Sequence, residues 1–333
     1  MTRPLNVSSS LLACGQSSLP ARAFLLLAAA LLLIAIPRGA GAQSPHERIL
    51  EQQYRARLQA IADSTFGVVG DTTIDLKTGR SVGINDSLIF PQGSAIKIPL
   101  LIELYRQVES GRITESEQIP VREADQVGGS GVAQWFTGGQ SSLSPHDLAV
   151  LMIVLSDNTA TNMLIERVGG FDAVNRTMDS LNVGSIRLQR RMIQPLESAR
   201  GAENLATPAS AAALMQRIAE CSLPMSTLRC AQVRGILEIP KSGAIPASVP
   251  GSVSVAWKPG GVEGVQTAWG IVDLPARPYV VVGMVTYSDG AEGGAALRAI
   301  ADAAYEYHRR LARASVHGVR VPLSVADSIR GTP

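Results

Sequence analysis

Strand-like segments lie at both ends of the chain after residue 42, and a long helical stretch separates them. Near the beginning, residues 66–76 are β-rich and lead through the turn Lys77-Thr78-Gly79 to residues 81–84, the pattern of a hairpin. Near the end, Gly and Pro turns separate three alternating or β-branched segments, which indicates three consecutive antiparallel strands: residues 252–257, 265–272 and 279–287. Strands from both ends can complete one sheet, with the region between them folded as a second lobe.

Helical periodicity accounts for most of the remaining chain. Residues 47–63 and 294–312 each repeat apolar residues at i, i+3 and i+4, which predicts an amphipathic helix before and after the strands. Between the strand regions, the pattern predicts five helices: residues 96–108, 144–155, 160–168, 171–181 and 208–219. The predicted fold class is therefore α+β, an antiparallel sheet flanked by N- and C-terminal helices plus an all-helical lobe, with the active site in the cleft between them.

Length and charge exclude several classes of protein. A chain of 333 residues that is 46% hydrophobic can bury a substantial core in one large domain or two modest ones. Its 30 Lys plus Arg balance 28 Asp plus Glu to give a formal net charge of +2, so no single-sign field points to a nucleic-acid partner.

The first 42 residues predict a secretion signal peptide. Arg3 and Arg22 precede an apolar run at residues 23–36, and small residues follow up to Ala42, where cleavage is expected. The run is too short to span a bilayer comfortably, so we expect no stable membrane insertion after cleavage; an uncleaved anchor is the alternative. The expected organisation is one folded domain at residues 43–320 and a loose tail at residues 321–333, located in the periplasm or secreted.

Few residues could hold a metal or form a disulfide. After the signal, Cys221 and Cys230 are the only cysteines, and their spacing leaves open whether they form a bridge or stay as free thiols. The four histidines are scattered singly, at positions 46, 146, 308 and 317. Because they supply no cluster of ligands, the sequence predicts neither a metal site nor a cofactor.

One S-x-x-K motif, Ser94-Ala95-Ile96-Lys97, occurs in the chain. Ser94 is predicted at a helix N-terminus, and Lys97 lies one turn further on the same face. A serine hydroxyl is a weak nucleophile until a base takes its proton, and a lysine in a partly desolvated cleft has a pKa low enough to share that work. The structural alternative is a helix cap followed by a solvated lysine.

Two later motifs could complete such a site. Ser156-Asp157-Asn158 falls at a break between two predicted helices, where it is either ordinary turn chemistry or a proton relay with a substrate-binding amide. Lys258-Pro259-Gly260-Gly261 follows a predicted strand, and its lysine could raise the positive potential around a carboxylate and the two serines. Its glycines would let the backbone approach a ligand closely.

Taken in this order, the three motifs resemble those of class A β-lactamases, within the penicillin-recognising serine hydrolases. The similarity extends from about residue 47 to residue 312 and includes Phe90-Pro91-Gln92-Gly93-Ser94, Gly129-Ser130-Gly131 and Asn204 with Thr207-Pro208. The resemblance implies that Ser94 attacks a β-lactam carbonyl, that Lys97 assists its deprotonation and that Ser156 passes a proton to the departing nitrogen.

The resemblance also assigns the substrate-binding groups. The backbone N–H groups of Ser94 and Gly261 would form the oxyanion hole, beside Gly260. Asn158 would hold the amide of the substrate side chain, and Lys258 would shape the field. The implied partner is a small β-lactam or a cell-wall peptide, and the protein is expected to be a monomer.

The sequence departs from the class A pattern in two places. The motif E-x-x-L-N, whose glutamate activates the deacylating water in that class, is not found, and Glu197 and Glu203 are the nearby carboxylates, with Glu197 the better candidate. Pro259 stands where the family has a hydroxyl residue, which removes a donor to the substrate carboxylate. Deacylation and carboxylate binding are the two steps that these changes affect.

The leading hypothesis is an exported class A-like β-lactamase that opens the β-lactam ring through a Ser94 acyl-enzyme. A cell-wall D-Ala-D-Ala peptidase or esterase would use the same three motifs. A penicillin-binding sensor that is acylated and then deacylates slowly is the third possibility, and the missing glutamate motivates it.

Overall fold

A five-stranded antiparallel sheet unites strands from both ends of the chain. The computed structural model describes residues 43–315, 317–322 and 325, and within them the sheet has the order β2-β1-β9-β8-β7. Its strands are β1 (Val68–Asp75), β2 (Ser81–Ile84), β7 (Val255–Val262), β8 (Val265–Val272) and β9 (Tyr279–Thr286). Because β1 pairs with β9 over its full length, the ends of the chain close into one sheet, as the sequence predicts.

Short paired strands and helices fill the region between β2 and β7. The short strands are β3 (Phe90–Pro91) with β6 (Leu205–Ala206), and β4 (Ile119–Pro120) with β5 (Ser142–Leu143). The helices of this region are α2 (Lys97–Glu109), α3 (Pro145–Val154), α4 (Asn158–Arg167), α5 (Phe171–Ser180), α6 (Pro195–Ala199), α7 (Pro208–Ala219), α8 (Thr227–Glu238) and α9 (Ala244–Ala247). Single 3₁₀ turns lie at Gly93–Ile96, Glu123–Asp125 and Ala133–Trp135.

Two hydrophobic cores lie on opposite faces of the sheet. The terminal helices α1 (Pro45–Ser64) and α10 (Gly290–Ala312) cover one face, where Leu58 and Ile300 are buried. The helical lobe covers the other face, and its core includes Leu101 and Leu164. This arrangement confirms the predicted α+β class and places the junction between the sheet and the helical lobe at the edge strand β7.

Helix boundaries follow the capping signals in the sequence. Thr207 accepts a hydrogen bond from the backbone N–H of Ser210 and Pro208 occupies the first turn, so α7 begins where the sequence predicts. In the same way, Ser144 accepts from the backbone N–H of Asp147 at the start of α3. These side chains satisfy donors that would otherwise lack an intrahelical partner.

One predicted strand differs from the structure in its extent, and one helix was not predicted. The strand predicted to end at Trp257 continues to Val262, so Lys258 and Pro259 lie within β7 rather than after it. Proline is tolerated there because β7 is an edge strand with one unpaired side. No separate helix was predicted for residues 227–238, which form α8.

The two cysteines form a disulfide. Cys221, just after α7, is bonded to Cys230 in α8, with 5.6 Å between their Cα atoms. This resolves the choice that the spacing left open. The predicted signal peptide, residues 1–42, and most of the predicted tail lie outside the described residues. Within the described part of the chain, none of the helices has the length and apolar character that crossing a bilayer requires.

Candidate active site

Ser94 lies in the 3₁₀ turn that leads into α2, and its position is fixed by the residues just before it. The Gln92 side chain is fully buried and donates to the backbone oxygen of Phe90 at 2.7 Å. Its Oε1 accepts from the indole N–H of Trp269 in β8 at 3.0 Å, and the Gln92 backbone oxygen accepts from Thr267 at 2.9 Å. Two hydrogen bonds, from Trp269 and Thr267, therefore tie the turn that carries Ser94 to the sheet.

Two glycines let this turn approach β7 more closely than any other residue would. Gly93 has a φ of 49°, and a Cβ at this position would lie 2.7 Å from the backbone nitrogen of Gly261. A Cβ on Gly260 would lie 2.3 Å from the Gln92 oxygen and 2.7 Å from the Ala95 nitrogen. Side chains at either position would force the two segments apart. The close packing brings the Ser94 turn against the backbone of Gly260 and Gly261.

The Ser156-Asp157-Asn158 segment forms a tight junction between α3 and α4. Ser156 has a φ of 54°, which is an unfavourable conformation for a residue other than glycine. Asp157 holds the junction in place, because one carboxylate oxygen caps α4 at the Ala160 N–H, 2.9 Å away. The other accepts from the N–H groups of Val132 and Ala133 at 2.7 and 2.8 Å.

Lys97 is completely buried and reaches this junction. Its Nζ donates to the backbone oxygen of Ser156 at 2.7 Å, to Ser156 Oγ at 3.2 Å and to Asn158 Oδ1 at 3.0 Å. Burial lowers the pKa of Lys97 well below its ordinary range, the positive charge of Lys258 lowers it further, and Asp157 opposes both effects. An amine in this setting loses its proton more readily than a solvated lysine does.

Lys258 reaches the same hydroxyl from the sheet. Its Nζ donates to Ser156 Oγ at 3.1 Å and to the backbone oxygen of Pro259 at 2.9 Å, and the side chain is fully buried. Burial lowers the pKa of Lys258 to about 7, and the charge of Lys241 contributes to the shift. The Nζ atoms of Lys97, from α2, and of Lys258, from β7, therefore both contact Ser156 Oγ.

These contacts bring the three sequence motifs together. Ser156 Oγ accepts hydrogen bonds from both lysines, so its own hydroxyl hydrogen can be donated to a third group. Among the described residues, Ser94 Oγ forms no hydrogen bond, and it is half-buried beside Lys97 on the same turn of chain. The arrangement provides a hydroxyl nucleophile, an amine with a lowered pKa and a second hydroxyl that can exchange protons with that amine.

Asn158 links Lys97 to the segment at residues 128–131, which forms another wall of the site. Its Oδ1 accepts from Lys97, and its amide nitrogen donates to the backbone oxygen of Gly128 at 3.1 Å. The backbone N–H of Asn158 donates to Ser130, so the 128–131 segment is held against α4. A Cβ on Gly129 would meet this amide nitrogen at 2.8 Å and Ile193 Cδ1 at 3.2 Å, which places Ile193 beside this wall.

The loop at residues 189–204 was expected to supply a carboxylate if the chain has one for deacylation. Glu197, the better candidate from the sequence, forms an exposed ion pair with Arg200 at 2.7 Å. Glu203 pairs with Arg190 at 2.9 Å and also accepts from Ser198. Within the described residues, neither carboxylate has a hydrogen bond to Ser94, Lys97, Ser156 or Lys258.

Asn204 holds this loop closed. Its Oδ1 accepts from the N–H groups of Gln189 and Arg190, and its amide nitrogen donates to the Arg190 oxygen. Asn162 binds the Met192 backbone in the same two-way manner, at 2.8 and 3.3 Å. Two buried side-chain amides therefore hold the loop: Asn204 joins its two ends, and Asn162 binds it at Met192.

Sequence reasoning assigned no role to three residues that position the site. Gln92 supports the nucleophile turn, Asp157 holds the serine junction and Thr267 binds the Gln92 oxygen. The position of Gln92 directly before Gly93 and Ser94, in the segment that resembles the family, was the available signal for it. Thr267 carried no signal, because its partner lies far away in the sequence.

Comparisons with known proteins agree with this geometry. A family model described as the beta-lactamase enzyme family matches residues 53–308. A β-lactamase of Rhodobacter capsulatus is 30% identical over 149 residues, 45% of this chain and 48% of the relative, so the alignment spans about half the length of that curated protein.

Two solved structures match over a larger share. A β-lactamase from Sphaerobacter thermophilus is 32% identical, with a TM-score of 0.70 over 78% of this chain and 97% of the other. An acyl-enzyme complex of a PBP-A mutant with penicillin G is 26% identical, with a TM-score of 0.69 over 78% of this chain and 96% of the other.

The sheet closed by both ends of the chain, and the buried lysines that meet at a serine beside a helical lobe, lie within the residues that the family model matches. The chain belongs to the β-lactamase enzyme family.

Proposed function

We propose that this protein opens β-lactam rings through an acyl-enzyme on Ser94 and that it hydrolyses the resulting ester slowly. The observation that supports acylation most directly is the meeting of Lys97 and Lys258 at Ser156 Oγ, beside the Ser94 turn. The observation that supports slow hydrolysis is the engagement of Glu197 and Glu203 in ion pairs within the 189–204 loop.

Acylation requires a proton to leave Ser94 and to reach the ring nitrogen. Ser94 Oγ attacks the β-lactam carbonyl carbon, and its proton passes to the neutral amine of Lys97. When the carbon–nitrogen bond of the ring breaks, Ser156 gives its proton to the departing nitrogen and is reprotonated by Lys97. Because burial lowers the pKa of Lys97, its neutral form is available for the first step without a large energetic cost.

The remaining site residues would bind the substrate. The backbone N–H groups of Ser94 and Gly261 would stabilise the developing oxyanion, and Gly260 permits the close approach that puts them together. The Asn158 amide would hold the acyl side chain. The Lys258 ammonium would attract the substrate carboxylate, a role that Pro259 cannot share because it has no hydroxyl.

Deacylation is the slow step in this account. Hydrolysis of the ester needs a base to activate water, and general-base catalysis contributes about 10²–10⁴-fold to such reactions. With Glu197 and Glu203 engaged elsewhere, Lys97 is the group left to assist the water. Lys97 gives up one of its three contacts with Ser156 and Asn158 whenever it acts as a base, in acylation as in deacylation, so the missing carboxylate is what distinguishes the slower step.

Rapid mixing with a chromogenic cephalosporin tests the proposal. The expected trace is a burst equal to the enzyme concentration, followed by a slow steady rate. Ser94→Ala removes both phases, whereas Ser116→Ala, a change at an exposed serine, leaves them intact. Full turnover by Ser94→Ala would show that the nucleophile is misassigned. A fast steady rate with no burst would show that deacylation is not slow.

A cell-wall D-Ala-D-Ala peptide is the second candidate substrate. The lack of a free loop carboxylate favours it, because a peptidase can pass its acyl group to an amine rather than to an activated water. Release of D-alanine from an acyl-D-Ala-D-Ala peptide, dependent on Ser94 and faster than β-lactam turnover, would favour the peptidase. No release would leave β-lactams as the substrate class.

We also propose that the chain is exported to the periplasm or secreted and that the first 42 residues are removed. The disulfide between Cys221 and Cys230 supports this proposal, because such bonds persist in oxidising compartments. Mass analysis of protein recovered outside the cytoplasm is expected to show a chain that begins at Gln43. A full-length product that stays with the membrane would favour the uncleaved anchor.

A further inference from the structure

A positively charged cavity of about 480 Å³ lies where α1 begins and α10 ends, apart from the Ser94 site. Its wall has an apolar part formed by Ile49, Leu50 and Ala314, together with Gly318. The remaining lining consists of one histidine and four arginines: His46, Arg309, Arg310, Arg313 and Arg320. A cavity of this size can hold a small organic molecule.

The guanidinium groups around this cavity are largely without counter-ions. Arg309 pairs with Glu306 at 2.8 Å. Arg310, Arg313 and Arg320 have no carboxylate within 4.0 Å among the residues described, and none of the lining residues is acidic. The chain as a whole carries a formal charge of only +2, so this concentration of positive charge is a local feature.

Two donors at the cavity lack acceptors. The Nε–H groups of Arg309 and Arg313 are buried, and neither forms a hydrogen bond within the described part of the chain. A buried donor without a partner is costly, and more so when it is charged. A bound oxyanion would not reach these buried Nε atoms, but it would neutralise the charge of the guanidinium groups to which they belong.

The guanidinium geometry favours a phosphate group. Each guanidinium presents a planar fork of donors that matches two oxygens of a phosphate or carboxylate, and several forks together suit the larger number of oxygens on phosphate. The apolar part of the wall is accessible, since Ile49 is 53% exposed, and it would contact a hydrocarbon group attached to the phosphate.

We propose that this cavity binds a phosphate ester that carries a short apolar group. The charged head lies among Arg310, Arg313 and Arg320, and the apolar group lies against Ile49 and Leu50. Such a ligand could be a soluble phosphate ester or the headgroup region of a membrane phospholipid. Binding here is independent of acylation at Ser94.

Isothermal titration with hexyl phosphate and with inorganic phosphate tests the site. Hexyl phosphate is expected to bind at least about tenfold more tightly, because its chain is buried against the apolar wall. Arg313→Gln and Arg310→Gln are each expected to weaken hexyl phosphate about tenfold. Arg298→Gln is the matched control, since Arg298 lies on the same helix but pairs with Asp302 at 2.9 Å away from the cavity.

The arginines could instead serve only to stabilise the C-terminal end of α10. That role predicts a lower melting temperature in the Gln variants and no change in phosphate affinity. Unchanged affinity in correctly folded Arg313→Gln and Arg310→Gln, or no binding by the parent protein, would overturn the proposal. Circular dichroism of each variant verifies folding.

Vesicle sedimentation identifies the source of the phosphate. Co-sedimentation with phosphatidylglycerol vesicles but not with phosphatidylcholine vesicles, lost in Arg313→Gln, would identify a membrane lipid. Binding of hexyl phosphate without co-sedimentation would identify a soluble phosphate ester. Either outcome supports the site, whereas sedimentation that Arg313→Gln retains would assign the membrane contact to another surface and count against this cavity.

Discussion

The two faces of the sheet bury polar groups in different ways. On the face that meets the helical lobe, Lys97 and Lys258 are fully buried, and each ammonium has at least two oxygen acceptors. On the face covered by α1 and α10, the Asp71 carboxyl and the Tyr54 hydroxyl are buried near each other, and within the described residues neither has a hydrogen bond as well formed as those of the lysines.

Lys97 and Lys258 are the buried groups proposed to take part in the reaction, whereas Asp71 and Tyr54 have no proposed role in it. Hydrogen bonds compensate the two lysines, and their lowered pKa values leave them able to exchange protons. For Asp71, burial raises the pKa well above the usual range and the nearby Asp86 raises it further, and only the Tyr54 hydroxyl opposes these effects. The site face is expected to govern activity and the opposite face stability.

The largest expected effect is on acylation. Lys97→Met removes the amine proposed to accept the Ser94 proton while it keeps a side chain of similar length. We expect the burst rate with a chromogenic cephalosporin to fall by about 10²–10⁴-fold. The melting temperature should change little, because the relief of a buried, desolvated amine is offset by the loss of its hydrogen bonds to Ser156 and Asn158.

Lys77→Met is the control for this change, since Lys77 is exposed in the turn between β1 and β2. It should alter neither the burst nor the melting temperature. A Lys97→Met protein that is folded and acylates at the parent rate would remove Lys97 from the mechanism and break the comparison between the faces.

The second effect is on stability and concerns Asp71. Because its pKa is raised on folding, the folded state holds a proton that the unfolded state releases above about pH 4, so stability falls as pH rises from that value towards the folded pKa. Asp71→Asn removes this fall, which amounts to about 1.4 kcal/mol for each pH unit. Urea unfolding at pH 4, 6 and 8 measures it.

Acylation should be unchanged in Asp71→Asn, because the residue lies on the far face of the sheet. Asp63→Asn, at an exposed position near the end of α1, should reproduce the pH dependence of the parent protein. Equal pH slopes for the parent and Asp71→Asn would mean that the buried carboxyl is not the source of the pH dependence.

The smallest effect is a pH dependence that belongs to Lys258. With its pKa lowered to about 7, its ammonium is lost as pH rises through that value. For a β-lactam with a carboxylate, kcat/KM should then fall about tenfold for each further pH unit, in proportion to the protonated fraction. The methyl ester of the same compound, which has no carboxylate, should show no such fall.

Lys258→Arg provides the complementary test, because an arginine stays charged and should shift the fall out of this range. The same lowered pKa has a stability consequence of opposite sign to that of Asp71. The unfolded state holds more protons than the folded state between pH 7 and about 10, so stability from this group rises with pH in that interval. Identical pH profiles for the carboxylate and its ester would separate Lys258 from substrate binding.

Local sequence signals predicted much of the fold. The caps at Ser144 and Thr207 located two helices, and alternation located β8 at residues 265–272. The end of β7 was missed because proline usually stops a strand, and only the position of this strand at the sheet edge makes Pro259 acceptable. The α8 helix was missed although signals for it were present: Ser226 caps it, and its buried residues Cys230, Val233 and Leu237 recur at intervals of three and four.

The candidate site was predictable in its members but not in its contacts. Helical spacing placed Ser94 and Lys97 together, since they are one turn apart. The contacts of Lys97 with Ser156 and Asn158 join elements about 60 residues apart, and no local pattern encodes them. In the same way, the ion pair that occupies Glu203 depends on the path of the 189–204 loop.

The central claim is that Ser94 becomes covalently acylated. Intact-protein mass spectrometry after brief exposure to penicillin G measures this directly. We expect one adduct of the full mass of penicillin G on the parent protein, mapped by peptide analysis to Ser94, and none on Ser94→Ala. An adduct that persists on Ser94→Ala, or no adduct on a folded parent protein at any time, would contradict the account.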